Sequence, residues 1–332
     1  MGFFSRLLKK LEMMGLSFSV EEIEKRVDRL LERERTFREE FSHRLMTEMR
    51  AYIDQRLRYA IPQFYDPDGR IFVHTNDGHR IFLDAREEFM ALHVMEHGEW
   101  ETHVRAVMRR ILHPGGIFVD IGANIGLHTL LGAALVGEKG HVYAIEAHPR
   151  TFSFLDRNIE INGLNKRVMK LCLAASDVAD QDVSFEYFPQ HPGMSGFRLP
   201  ECRVAELHAT PEKINVKTTT LDALLSPSYR ADLIKIDVEG FELVALKGAR
   251  DLLSRNKDAC FLIEYDLEVS SSVLGSEAPR ELLEIFQGNG YLAFVVMHDG
   301  DPVQADYASL IKLVREDILF IHPSSRYISQ FM

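Results

Sequence analysis

The chain has 332 residues, 46% of them hydrophobic, enough for one large α/β domain with an appendage. A formal net charge of −11 argues against a general nucleic-acid-binding surface. Cys172, Cys202 and Cys260 lack metal-site or redox spacing and read as buried reduced thiols, the usage of a cytoplasmic protein.

The first segment, "GFFSRLLKKL" at residues 2–11, is basic and amphipathic. It reads either as a weak peripheral contact with the inner face of a membrane or as a helix packed on a partner. It has no signal-peptide core, and Arg6 stands where a myristoylation pattern needs Ser or Thr. No stretch of the chain is apolar for long enough to span a bilayer. Residues 17–61 then run without glycine or proline, with Val20, Ile23, Val27, Leu30, Phe37 and Phe41 in heptad spacing. Glu34 interrupts the seam, which slips to Leu45, Met49 and Ile53 as at a stutter. Residues 1–61 are expected to be a coiled-coil segment that makes a homo-oligomer. The alternative is a solvated helix packed on its own domain.

Pro62 ends that helix and opens a lead-in over 62–114. "GRIFVHTNDGHRIFLD" predicts a β-hairpin turning at Asn76-Asp77-Gly78. Helices are predicted over 86–97 and 99–113, the second stopped by Pro114-Gly115-Gly116. Over 115–332 strands and helices alternate. "IFVDIG", "HVYAIEA", "VMKLCLAAS", "VSFEYF", "KINVKTTT", "ADLIKIDVEG", "ACFLIEYD", "YLAFVVM" and "DILFIHP" read as strands. Helices are expected at 125–137, 150–161, 241–253 and 278–288. Such alternation implies a Rossmann-like, doubly wound, mainly parallel sheet with ligands outside the carboxyl ends of its central strands.

The first of these strands ends in the turn Gly122-Ala123-Asn124-Ile125-Gly126. A dinucleotide fingerprint needs a second glycine where Asn124 stands, and no Walker lysine follows. The next strand ends in Glu146, a carboxylate placed to accept hydrogen bonds from both hydroxyls of a ribose. A bare turn beside an acidic strand tip brackets an adenosyl group. S-adenosylmethionine carries no phosphates, so the shortened turn suffices for it. Backbone acceptors around Asp120–Gly122 suit its ammonium; otherwise Asp120 only holds the turn.

Together "FVDIGANIGLHT", "VYAIEAHP", "NIEINGL", "AASD", "TTTLDALL", "DLIKIDVEGFELVALKGA" and "LIEYD" resemble the FkbM-type methyltransferases, class I S-adenosylmethionine-dependent enzymes, over residues 98–296. "KIDVEGFE" is the most specific of these stretches. The resemblance implies a seven-stranded sheet and O-methylation of sugar or secondary-metabolite hydroxyls; anchoring by the coiled coil would place such an enzyme in polysaccharide biosynthesis. The resemblance places Asp120, Gly122, Asn124 and Gly126 at the methionine end of the donor, Glu146 on the ribose, and Ser176 and Asp177 near the adenine. Asp237 then faces the methyl group.

Methyl transfer to an alcohol is an in-line displacement helped by a base as the proton leaves. Asp237 and Glu239 are two apart, so one could orient the acceptor while the other takes its proton; Glu239 could instead cap the following helix. Lys235 is expected to pair with Asp237 or Glu264, and Glu264 to lie beside Asp237 if their strands are neighbours. His191, in the Gly/Pro/His-rich loop 189–200, is the histidine best placed as a base, whereas His128, His148 and His298 read as solvated loop histidines. No histidine spacing signals a dedicated metal site, although Asp237, Glu239 and Glu264 offer oxygens of the kind Mg²⁺ takes. Two other readings remain open: an NAD-dependent oxidoreductase, disfavoured by Asn124, and a coiled-coil scaffold that has lost its chemistry.

Overall fold

The structure is a computed structural model. It describes residues 69–87, 89–188, 212–225 and 230–332, with Lys25 and Glu32 before them. The segment 2–11, the rest of the heptad helix, Cys202 and the loop 189–200 with His191 lie outside the described residues.

The hairpin forms as β1 (Arg70–His74) and β2 (Arg80–Asp84), antiparallel with Ile71 opposite Leu83. Gly78 supplies the positive φ of +80° that the turn requires. Helix α1 (Met90–His97) begins at Met90 rather than at residue 86. The Glu87 carboxylate accepts the amides of Phe89 and Met90 at 2.9 Å each, and that of Ala91, which fixes the first turn there. Helix α2 (Thr102–Ile111) starts at 102 rather than 99 because Glu101 sits in the left-handed region, φ +47°.

The large sheet is built from β3 (Ile117–Ile121), β4 (His141–Ile145), β5 (Val168–Leu171), β9 (Leu233–Ile236), β10 (Cys260–Asp266), β11 (Leu292–Val296), β12 (Pro302–Ala305) and β13 (Arg315–Ile321). Its order is β12-β11-β13-β10-β9-β3-β4-β5. The five strands from β10 to β5 run parallel, while β13, β11 and β12 pair antiparallel. The sheet thus has eight strands rather than seven, because Pro302–Ala305 folds back on β11 as an edge strand, a place that tolerates proline. The run "VMKLCLAAS" breaks after Leu171. Its end forms β6 (Ala174–Ala175), which leaves the main sheet to pair with β8 (Glu212–Thr219), itself antiparallel to β7 (Asp182–Tyr187).

Successive side chains of a strand point to opposite faces. Val119 and Ile121 therefore join one buried cluster and Phe118 the other, so the sheet is covered on both sides. The covering helices include α3 (Leu127–Val136) and α4 (Pro149–Ile161) after β3 and β4. Short α5 (Leu221–Leu224) follows β8, and α6 (Glu242–Lys247) and α7 (Arg250–Arg255) follow β9. The single helix expected over 241–253 is broken at Gly248, where a Cβ would lie 2.0 Å from the Ser176 carbonyl oxygen. Helices α8 (Leu267–Leu274) and α9 (Ala278–Gly288) follow β10, and α10 (Tyr307–Leu310) precedes β13.

Two buried polar residues tie this frame together. Asn158 of α4 accepts the Phe82 amide at 2.6 Å and donates to the carbonyls of Phe82 (3.0 Å) and Ile125 (2.8 Å), joining the hairpin to the glycine turn. At the amino ends of the strands Asp232 accepts the Ile117 amide at 2.7 Å, the Tyr327 hydroxyl at 2.5 Å and the Arg326 guanidinium.

Candidate active site

The carboxyl ends of β3, β4, β9 and β10 open onto one cavity of about 450 Å³, within the ordinary range for a small-molecule site. One side is formed by the glycine turn. Gly122 has φ +78°, and a Cβ there would lie 1.8 Å from the Asp237 carbonyl oxygen, so no larger residue fits between β3 and β9. Gly126, φ +97°, is the N-cap of α3 and is not among the residues that line the cavity. Asn124 lines the cavity with φ +50° and a buried Oδ1 that has no hydrogen-bond partner. Asp120 lies beneath the turn, 1% exposed. Its Oδ2 accepts the Thr129 hydroxyl at 2.6 Å, its Oδ1 has no partner, and burial raises its pKa.

Glu146 is presented at the tip of β4. Its Oε2 accepts the Asn124 amide at 3.0 Å and its Oε1 the His148 amide at 2.9 Å, leaving lone pairs on both oxygens toward the cavity. Burial outweighs those bonds and pushes its pKa up to about 7. The neighbouring wall is apolar: Leu173, Ala174, Ala175, Ile145 and Phe185. Ser176 and Asp177 are not part of it. β6 turns toward β8, so the Ser176 hydroxyl points to Asp177 at 3.2 Å outside the lining, and Asp177 is exposed.

The far side is crowded with charge. β9 and β10 are adjacent and parallel, as the position of Glu264 beside Asp237 requires. Lys235, 3% exposed, donates to Asp237 Oδ2 at 2.6 Å, a pairing that the strand periodicity anticipates. Burial opposes ionisation of Asp237, but the Lys235 ammonium holds its pKa below the usual value. Carboxylate oxygens of Asp237, Glu239 and Glu264 lie within 4.8 Å of one another. Glu239, φ +52°, is pushed well above the usual carboxylate range by burial and then by Asp237, and Glu264 by burial and then by Asp237 and Glu239. Arg315, at the start of antiparallel β13, donates to Glu264 Oε1 at 2.5 and 3.1 Å. Phe241 is the N-cap of α6, with no side-chain cap bond from Glu239, and Glu242 Oε1 holds the turn before the helix by accepting the amides of Val238 at 2.9 Å and Gly240 at 3.1 Å.

The sequence reading misses Trp100, Glu101 and Arg315, which line the cavity, and misplaces two histidines. His128 is buried on α3 with Nε2 2.8 Å from Glu101 Oε2, and burial holds its pKa well below the usual value. His148 caps α4 and stacks on Tyr187, ring centroids 3.4 Å apart. His191 lies outside the described residues. Four described non-glycine residues have positive φ, and three of them, Glu101, Asn124 and Glu239, line this cavity. Backbone strain of this kind gathers at functional sites.

The profile of the "Methyltransferase FkbM domain" matches residues 120–293. "31-O-demethyl-FK506 methyltransferase FkbM" of Streptomyces tacrolimicus is 26% identical over 263 residues, 72% of this chain and 91% of that protein. "Hexuronic acid methyltransferase AglP" of Haloferax volcanii is 29% identical over 136 residues, 40% of this chain and 50% of that protein. The chain likewise spans 58% of "Methyltransferase 1" of Beauveria bassiana at 28% identity, so it covers little more than half the length of these last two relatives. The crystal structure of methyltransferase FkbM from Methylobacillus flagellatus aligns with 65% of this chain and 50% of its own at 17% identity, with a TM-score of 0.38. With more than half of its residues, the glycine turn and the acidic strand tips included, under that one profile, the chain belongs to the FkbM methyltransferase family.

Proposed function

We propose that the protein transfers the methyl group of S-adenosylmethionine to a hydroxyl of a small-molecule or glycan acceptor. The observation that carries this reading is the makeup of the cavity: six carboxylates line it against two permanent cations, Lys235 and Arg315. Both permanent cations of that lining are already paired, Lys235 with Asp237 and Arg315 with Glu264, so the lining offers no free cation to a pyrophosphate and leaves acceptors for a sulfonium and an ammonium. It therefore weighs against a nicotinamide dinucleotide on the same topology.

The residues present fit the donor. Gly122 leaves the backbone bare where its amino acid end would lie, and the unpartnered oxygens of Asp120 and Asn124 are acceptors for an ammonium group. Glu146 has the free lone pairs to take two ribose hydroxyls, and the Leu173–Ala175 wall with Phe185 offers an apolar slot for the adenine. When bound, the donor supplies an electrophilic methyl carbon on a good leaving group, so the protein's part is alignment, exclusion of water and acceptance of one proton.

The acceptor end lies between Trp100 and the carboxylates of Glu101, Glu239 and Glu264. An uncharged hydroxylated acceptor suits it, because Arg315 is already engaged by Glu264 and Asp266. The test is tritium transfer from methyl-labelled S-adenosylmethionine to a panel of neutral glycosides, uronates and secondary alcohols. Transfer to neutral members is expected. Transfer confined to the uronates would refute the charge argument, and tight NADH binding without any transfer would restore the oxidoreductase reading.

A further inference from the structure

We propose that Glu101, positioned by the Nε2–H of His128, is the base that takes the acceptor's proton, in place of Asp237 or Glu239. This rests on the hydroxyl-methylation reading above. The bookkeeping is that of one substitution. A lone pair of the acceptor oxygen forms the bond to the methyl carbon, and the carbon–sulfur bond breaks with its electron pair going to sulfur. The hydroxyl proton passes to a Glu101 oxygen.

The other carboxylates of the cavity are engaged or neutralised. Glu87 spends its oxygens on three amides of α1, and Glu146 belongs to the ribose side with an amide on each oxygen. Asp237 is tied to Lys235 at 2.6 Å, and an ion-paired carboxylate of lowered pKa is a weak base. Glu239 and Glu264 stand within 4.8 Å of Asp237 and of each other, and burial, then the neighbouring carboxylates, raise both well above the usual carboxylate range. Carboxyls that favour their protonated form suit donation of a hydrogen bond to an acceptor oxygen better than removal of its proton.

Glu101 differs on each count. Its backbone is held left-handed at the start of α2, which turns the side chain into the cavity rather than along the helix. His128 reaches it at 2.8 Å from Nε2, and the other ring nitrogen, Nδ1, is buried with no partner. A bare lone pair is easier to bury than an orphaned N–H, so the neutral ring carries its proton on Nε2 and donates it to a carboxylate. Burial raises Glu101 to about 7, the range where a base is effective at neutral pH. Lys235 and His103 facing it lower that value, and Asp237 and Asp317 raise it. The side chain is 26% exposed, which gives the captured proton a way out to solvent.

The test titrates the full-length protein, labelled with ¹³C at glutamate carboxyls and ¹⁵N at histidine rings, from about pH 5 to about pH 9. E101Q and E239Q identify the signals. The signal absent from E101Q should titrate near 7 and shift in H128N, while His128 stays neutral with its proton on Nε2. A Glu101 signal titrating in the ordinary carboxylate range, or a His128 proton on Nδ1, overturns the proposal. Where labelled donor turns over with methyl glycosides or water, E101Q should lower kcat by roughly 10²–10⁴-fold and erase the pH dependence near 7. E101Q turnover equal to that of the unchanged protein also overturns it. Calorimetry with S-adenosylhomocysteine separates the two readings. E101Q should bind it as the unchanged protein does, and failure of the unchanged protein to bind would remove the donor assignment while the titration still decides Glu101.

Discussion

Two aspartates, at opposite ends of the same sheet, are almost equally buried and differently served. Asp232 is 2% exposed and is met by an amide, a hydroxyl and a guanidinium. Asp120 is 1% exposed and is met by one hydroxyl, with Oδ1 left alone. The contrast extends around them. The Asp232 end is a closed network that pins residues 325–327 under β3 and β9. The Asp120 end gathers unpartnered oxygens, left-handed non-glycine residues and carboxylates of raised pKa. A fold ordinarily satisfies its buried polar groups, and the Asp120 end, unlike the Asp232 end, combines unsatisfied oxygens with a cavity.

Mutations at the two ends should therefore separate binding from stability. The largest effect is expected from Gly122→Ala, whose Cβ would overlap the Asp237 carbonyl in a left-handed conformation. Donor affinity measured by calorimetry should fall by roughly 100-fold or more, equivalent to about 3 kcal/mol. At the closed end, Asp232→Ala should remove about 2–4 kcal/mol of stability in denaturant unfolding, because it strands a buried amide and hydroxyl, with donor affinity nearly unchanged. A donor-binding loss in Asp232→Ala comparable to that of Gly122→Ala would break the distinction between the ends. Glu146→Gln should weaken the donor by roughly 10–100-fold, the worth of hydrogen bonds to a charged acceptor, with a smaller change in unfolding.

A change of pH is the mildest lever. Glu146, on the ribose side, is raised to about 7, so it gains its negative charge as pH rises through that value. A cationic donor prefers the charged form. Its dissociation constant should fall between about pH 6 and about pH 8, by up to roughly tenfold for one linked group, and level off above. A dinucleotide would bind less tightly over the same interval. Titration calorimetry at several pH values distinguishes the two signs.

The strand tips we assign to the donor were legible in the sequence because their signals are local. An apolar run ending in Asp120, a bare turn and a second run ending in Glu146 lie on consecutive strands, and strand adjacency follows from right-handed crossovers. Glu264 was expected beside Asp237 only if their strands were neighbours, and β9 and β10 are. The acceptor side was not legible. Glu101 enters the cavity through a single left-handed residue before α2, which no periodicity announces. Arg315 arrives on an antiparallel strand whose beginning, not its end, lies at the site. Ser176 and Asp177 fall outside the cavity lining because two residues after β5 break the strand and hand its continuation to another sheet. "NIEINGL" reads as a family mark, yet Asn158 and Asn162 serve to hold the hairpin edge through backbone groups of Phe82 and Arg80.

The most direct measurement is a crystal structure of the full chain grown with S-adenosylhomocysteine. The account expects the ribose hydroxyls on Glu146, the amino acid end against Asp120 to Asn124, and the sulfur directed toward Asp237 and Glu101. Density for the compound elsewhere, or an unfilled cavity with Glu146 turned from it, would contradict the account.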